Sequence, residues 1–193
     1  MTGPGRILAR AFHDDPMFTY IQPDPARRAA VLPWFFDTSA RLGRKYGRLD
    51  ERPGAGAAIW LLPGRGLGLR QLAGAGFLSA PVRLGPGAFR RFGAFTSELE
   101  RAQRAVLEQP FLHLFILGVD PDEQGRGHGA ALIDPVLAES AHPTYLETVN
   151  EANVPFYERH GFDVASTHQP DGMPRFWTMI RQPGLGLPGD GSR

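Results

Sequence analysis

Cysteine is absent from the 193 residues. That excludes disulfides, thiolate metal sites and a cysteine nucleophile, so any covalent mechanism must use another residue. Lysine is nearly absent as well: Lys45 is the one lysine, and Lys+Arg 21 against Asp+Glu 20 leaves a formal charge of +1 with no basic run. Neither a nucleic-acid partner nor any other polyanion is indicated. No stretch approaches the roughly 18 apolar residues of a membrane span, and Met1 to Arg10 lacks the apolar segment of a signal peptide. The expectation is a soluble, cytoplasmic protein with no membrane partner. The six histidines include no pair spaced i, i+3 or i, i+4 and no HExxH, so no metal is expected. GxSxG is missing too, which weighs against a nucleophile-elbow hydrolase.

What is present suits one domain with a real core: 42% hydrophobic residues and 24 glycines. Ile7, Leu8, Ala11 and Phe12 share a helical face that Asp14-Asp15-Pro16 ends, because proline disfavours helical geometry in the residue before it. Ala29, Leu32, Phe35, Phe36 and Leu42 predict an amphipathic helix from Pro25 to Tyr46, kinked at Pro33. Ala57 to Leu62 reads as a buried strand in a hairpin whose other arm lies near Arg48 to Glu51. Residues 63 to 88 are Gly- and Pro-rich and show no period, whereas Phe89 to Leu107 has helical spacing. Then follow a strand (Phe111 to Val119), a Gly-rich turn, a helix to Ala141, a strand (Tyr145 to Val149), a short helix (Val154 to His160) and two strands (Phe162 to Thr167, Arg175 to Arg181). This βαβαββ order implies an α/β domain over residues 1 to 181, with a mixed sheet and helices packed on it. Residues 182 to 193, with little to bury, are expected to form a disordered tail.

Gln124-Gly125-Arg126-Gly127-His128-Gly129-Ala130 lies between a predicted strand and a predicted helix. Glycines there let backbone approach an anion, and first-turn amides with the helix dipole attract phosphate. A plain structural turn is the bland alternative. No Gly-Lys-Ser/Thr follows, so Walker chemistry is excluded. Gly125, Gly127 and Ala130 fit GxGxxA with Glu147 where a ribose-binding acid belongs, yet the chain after Ala130 ends in two β-like segments rather than repeated βα units. A dinucleotide fold is therefore disfavoured.

Together, Val119-Asp120-Pro121, Gln124 to Ala130, Asn150 and Phe156-Tyr157-Glu158-Arg159-His160-Gly161-Phe162 resemble the GNAT acyl-CoA-dependent N-acyltransferases. From Phe111 to Arg181, with Pro135 inside the helix and Asn153-Val154-Pro155-Phe156-Tyr157, the chain is particularly similar to the puromycin N-acetyltransferases. Ala11 to Pro16 and Ala58 to Pro63 extend a looser similarity upstream.

The resemblance implies a mixed, mostly antiparallel central sheet flanked by helices, and acetyl-CoA as co-substrate. Its pyrophosphate would lie on the amides of Gly125, Arg126, Gly127, His128, Gly129 and Ala130, with Gln124 opening the turn. Leu117, Gly118 and Val119 would pair with the pantetheine arm, as a strand edge pairs with an extended amide chain. Asn150 occupies the family's Asn position, Asn153 matches the puromycin-enzyme pattern, and Tyr157 would be the general acid for the departing thiolate. The reaction implied is direct attack of an amine on the thioester, without an acyl-enzyme.

Such an amine must first lose a proton. By position alone, His113 in the strand and Glu147 on the next strand are candidate bases; a hydrogen-bonded core histidine is the bland alternative for His113. Trp34, Phe35, Phe36 and Trp60 either line an acceptor pocket or are core. The chain departs from the family at its start: a strand usually precedes the first helix, and Gly3-Pro4-Gly5 are poor strand formers. Either that strand is missing or the start codon is placed late, and a shortened sheet exposes an edge that favours a homodimer. The expected function is acetyl transfer to a small-molecule amine. A non-catalytic acyl-CoA-binding module is the alternative, and protein acceptors are a variant of the first.

Overall fold

The computed structural model describes residues 3–64, 68–107 and 110–184. The proposed tail lies, from residue 185 on, outside the described residues. Among the described residues eight α-helices and six strands run α1 (Pro4–Ala11), α2 (Pro16–Ile21), α3 (Pro25–Tyr46), β1 (Arg48–Arg52), β2 (Gly56–Leu61), α4 (Leu69–Ala75), α5 (Ala80–Leu84), α6 (Pro86–Val106), β3 (Leu112–Val119), α7 (His128–Glu139), β4 (Thr144–Thr148), α8 (Val154–Arg159), β5 (Asp163–His168) and β6 (Phe176–Arg181). Asp15 and Asp24 start α2 and α3 by accepting hydrogen bonds from Met17 N and from Ala26 N and Arg27 N, each followed by a proline at the first helical position. Asp14-Asp15-Pro16 thus ends α1 as expected and also begins a second short helix that periodicity over so few residues does not reveal. The aperiodic stretch after Pro63 holds two short helices, α4 and α5.

The strands form one sheet in the order β1-β2-β3-β4-β6-β5. Every neighbouring pair is antiparallel except β3 and β4, which α7 joins by a crossover. Among the described residues no strand precedes α1. The sheet edge on that side is β1, whose Arg48, Asp50, Glu51 and Arg52 give it the charge that discourages edge-to-edge pairing.

Alternation along β2 assigns the two faces. Ala58 and Trp60 pack with Leu132, Ile133, Val136, Leu137 and Tyr157 of α7 and α8. Ala57 and Ile59 pack with Leu8, Leu32, Phe35 and Phe36 of α1 and α3. Trp60, Phe35 and Phe36 are therefore core rather than free pocket lining, and Trp34 stands half-buried against Phe77.

Gly118 shows why α1 can lie so low on β3. A Cβ there would meet Leu8 Cδ2 at 2.6 Å and Phe12 Cε2 at 2.9 Å. Gly118→Ala is expected to lower stability by about 1–3 kcal/mol through overpacking, read as a lower urea midpoint with an unchanged slope.

Candidate functional site

The decisive feature is where β3 and β4 part. They pair at Leu112↔Thr144 and His113↔Tyr145 and at no later position. Immediately beyond His113, β3 carries a bulge at Phe115, because Trp60 faces Leu114 while Ile59 faces Ile116. An extra residue on one strand bends it and increases its twist, and here it turns β3 away from β4. From Leu114 to Val119 β3 is bonded to β2 along one edge and to no strand along the other. Leu117, Gly118 and Val119 close that open edge.

The chain then runs into the glycine loop. Asp120 N donates to Ala55 O, and Gln124 Nε2 donates to Val119 O at 3.3 Å. Gly125 and Gly127 have φ of 76° and 79°, the left-handed region that glycine enters without a Cβ penalty. Gly127 caps α7 without a side-chain hydrogen bond, and the first intrahelical bond runs from Ala131 N. The amides of His128, Gly129 and Ala130 are left to an outside acceptor, with the positive end of the helix dipole behind them. The side chains of Arg126 and His128 both turn to Glu123, at 2.8 Å and 3.3 Å.

Gly129 brings α8 to this loop: a Cβ there would meet Phe156 Cζ at 3.2 Å. His160 Nδ1 holds Asp134 Oδ1 of α7 at 2.7 Å, and its ring lies 4.6 Å from Phe156. Tyr157 is buried on the α7 face, edge-on to Phe162. Burial, and secondly the charge of Asp15, push its phenol pKa upward, so it stays protonated. Asn150 accepts from Ala152 N at 3.1 Å and Asn153 is exposed at the start of α8. Their side chains are thus a turn cap and a solvated group.

His113 and Glu147 meet: Nε2 to Oε2 is 2.8 Å, with side-chain exposures of 11% and 13%. Leu112, Leu114 and Leu146 face α7, so by alternation the dyad lies on the opposite face, beneath the α1 to α6 layer. The Gly-rich segment reaches the same place: Ala75 of α4 and Phe77 pack with Phe115, whose ring is 5.8 Å from that of His113. Beside the dyad the Tyr145 hydroxyl is buried and, among the described residues, makes no well-formed hydrogen bond, although Glu147 lies close to it. Burial and the charge of Glu147 raise its pKa. A carboxylate oxygen can only accept, so a neutral imidazole in this pair donates through Nε2 and keeps its lone pair on Nδ1.

Sequence reasoning missed Asp15. It sits at the α1–α2 corner, which spans the gap: α1 packs on β2 and β3, whereas Met17 and Tyr20 of α2 pack with Val149 and Phe176 beside the ends of β4 and β6. Buried Arg28 fixes that corner, donating to His13 O at 2.5 Å and Gln22 O at 2.8 Å and approaching Asp14 Oδ1 at 3.4 Å. Burial pushes the Asp15 carboxyl up to about 6 against backbone hydrogen bonds that lower it. The folded state therefore holds this proton between about pH 4 and 6 where the unfolded chain does not, and stability falls as pH rises through that window. Asp15→Asn keeps the cap. It is expected to raise stability at pH 7 by roughly 1–3 kcal/mol and to flatten the pH 4–6 slope in urea titrations.

Among the described residues no three His, Cys, Asp or Glu side chains gather as a metal site, and no helix is long and apolar enough to cross a membrane.

Residues 92–164 match the family model of the acetyltransferase (GNAT) domain. Over 167 residues the chain is 31% identical to an uncharacterized N-acetyltransferase of Schizosaccharomyces pombe, covering 80% of this chain and 67% of that one. The chain belongs to the GNAT acetyltransferase family. A mycothiol acetyltransferase of Propionibacterium freudenreichii is 43% identical to this GNAT chain over 65 residues, 31% of this chain and 21% of that relative, so the match spans about a fifth of the relative's length. The fold of this GNAT chain is also that of a Corynebacterium glutamicum protein described as histone acetyltransferase HPA2 and related acetyltransferase (TM-score 0.61, 21% identity, 94% and 90% of the two chains). Arylalkylamine N-acetyltransferase 2 of Aedes aegypti shares it too (TM-score 0.57, 12% identity, 93% and 92%).

Proposed function

We propose that this chain is a cytoplasmic enzyme that transfers an acetyl group from acetyl-CoA to a primary amine of a small molecule, by direct attack in a ternary complex. The observation that carries the reading is the early end of the β3–β4 pairing. It leaves an open strand edge leading to uncapped helix amides, which suits an extended amide-containing arm that ends in a pyrophosphate.

In this reading the backbone of Leu117 to Val119 holds the pantetheine arm and the Gly125 to Ala130 amides hold the phosphates. The thioester then lies in the gap, with Tyr157 on one face of the sheet and the His113–Glu147 dyad on the other. The amine arrives from the dyad's side and gives up a proton to His113 Nδ1, with Glu147 orienting the ring. Its nitrogen attacks the thioester carbon, the C–S bond breaks, and the sulfur leaves toward Tyr157, where the second proton lost from nitrogen ends on it as the CoA thiol. So raised a phenol pKa favours hydrogen-bond donation to the developing thiolate over early proton transfer. The relative named for mycothiol supports a small-molecule acceptor.

Calorimetric titration with acetyl-CoA, using NAD as control, is the first test: saturable acetyl-CoA binding without NAD binding is expected. The absence of cysteine lets CoA release be followed with a thiol reagent free of protein background. Acetyl-CoA binding with no release across a wide amine panel would instead favour the non-catalytic binding module.

A further inference from the structure

The near-zero total charge conceals a segregation. Between Glu51 and Glu98 the sequence holds six arginines and no acidic residue. Beyond β2 that stretch supplies α4, α5 and the first half of α6. Helices α5 and α6 bury Ala80, Leu84 and Ala88 in one cluster with Ile21 and Val31, so the residues that point away from this cluster face solvent. Several of them are apolar: Val82 is 87% exposed, Leu78, one turn before it, 69%, and Phe89 41%. Arg83 and Arg90, each next to one of these side chains, are exposed as well. Beside them an open groove of about 410 Å³ runs between α3 and the α5–α6 turn, with Arg27 on one wall and Val82 and Arg83 on the other. The Arg83 guanidinium lies 5.4 Å over the Trp34 ring, and Arg27 has only a loose, exposed approach to Asp24 at 3.9 Å.

We propose that this face binds the surface of an anionic phospholipid bilayer. A headgroup phosphate enters the groove between Arg27 and Arg83, whose guanidiniums present paired N–H donors that match its oxygens. Leu78, Val82 and Phe89 enter the boundary between headgroups and acyl chains. A contact of this kind needs neither a spanning stretch nor a large net charge, only basic and apolar side chains on one side of the molecule. Charge complementarity selects the occupant. A second copy would set arginine against arginine across a two-fold contact. An acidic protein would answer the arginines, but these interrupt the apolar side chains, leaving no wholly apolar centre of the kind a protein interface buries. At a bilayer the same mixture is matched in depth, with charge at the headgroups and apolar tips below them. The face lies on the outer side of the layer that covers the His113–Glu147 dyad, and lipid binding does not depend on the transfer chemistry.

Flotation of the full chain with lipid vesicles tests this. Binding is expected to vesicles of phosphatidylglycerol and phosphatidylcholine in equal parts and not to phosphatidylcholine alone, and it should weaken as salt screens the arginines. Arg27→Gln and Arg83→Gln should each weaken it about fivefold, and Val82→Gln about tenfold. Arg159→Gln, on α8 across the sheet, should leave it unchanged. All four side chains are exposed, so each variant should keep the wild-type urea midpoint. No binding to the anionic vesicles at low salt overturns the lipid contact, as does binding that none of the three substitutions on this face weakens. A concentration-dependent dimer that Val82→Gln dissociates, without vesicle binding, overturns it in favour of self-association. Binding to soluble polyglutamate without vesicle binding overturns it in favour of an acidic polypeptide.

Discussion

Tyr157→Phe should lower kcat by about 100-fold or more while leaving the acetyl-CoA dissociation constant within a factor of two. The ring would keep its packing against Phe162 and the α7 core, so stability should move little. What is lost is the hydrogen-bond donor for the developing thiolate. Because burial and the Asp15 charge keep the phenol protonated, the loss should be uniform across the neutral pH range. Steady-state CoA release paired with calorimetric binding checks this, and a fully active variant would remove Tyr157 from the acid role.

The second large effect is at the dyad. If the dyad takes the amine's proton, wild-type kcat/KM is expected to fall toward low pH. His113→Ala should cost about 100-fold or more and flatten that acid limb. Glu147→Gln should resemble it, since a neutral amide neither fixes the ring nor stabilises an imidazolium. The double variant should be little worse than either single one, as expected for residues that act as a unit. Multiplying losses with an intact acid limb would make His113 a hydrogen-bonded core residue, the bland alternative that its place in an apolar strand allows.

Most of the architecture was legible in the chain. The long helices α3 and α6, the hairpin of β1 and β2, and the run from β3 to β6 all follow from apolar spacing bounded by Pro, Gly and Asp. Where legibility failed, the reason was local length. Helices α2, α4 and α5 are too short to complete a periodic pattern, and tertiary packing rather than propensity sustains such helices. Asp15 was legible as a helix stop but not as a half-buried carboxylate, because what shields it is the corner that Arg28 fixes across the gap.

The family resemblance, the glycine loop ahead of α7 and the tyrosine on α8 are readable before folding, because each is written in contiguous residues whose backbone demands are local. The sequence could name His113 and Glu147 separately but not their meeting at 2.8 Å, nor their opposition to Tyr157 across the sheet. Those depend on pairing register: one extra residue at Phe115 redirects β3 and opens the gap, and the last β3–β4 pair sets His113 beside the strand that carries Glu147. Register is a property of strands distant in sequence, settled when both sheet faces are buried, and that burial exists only in the folded chain.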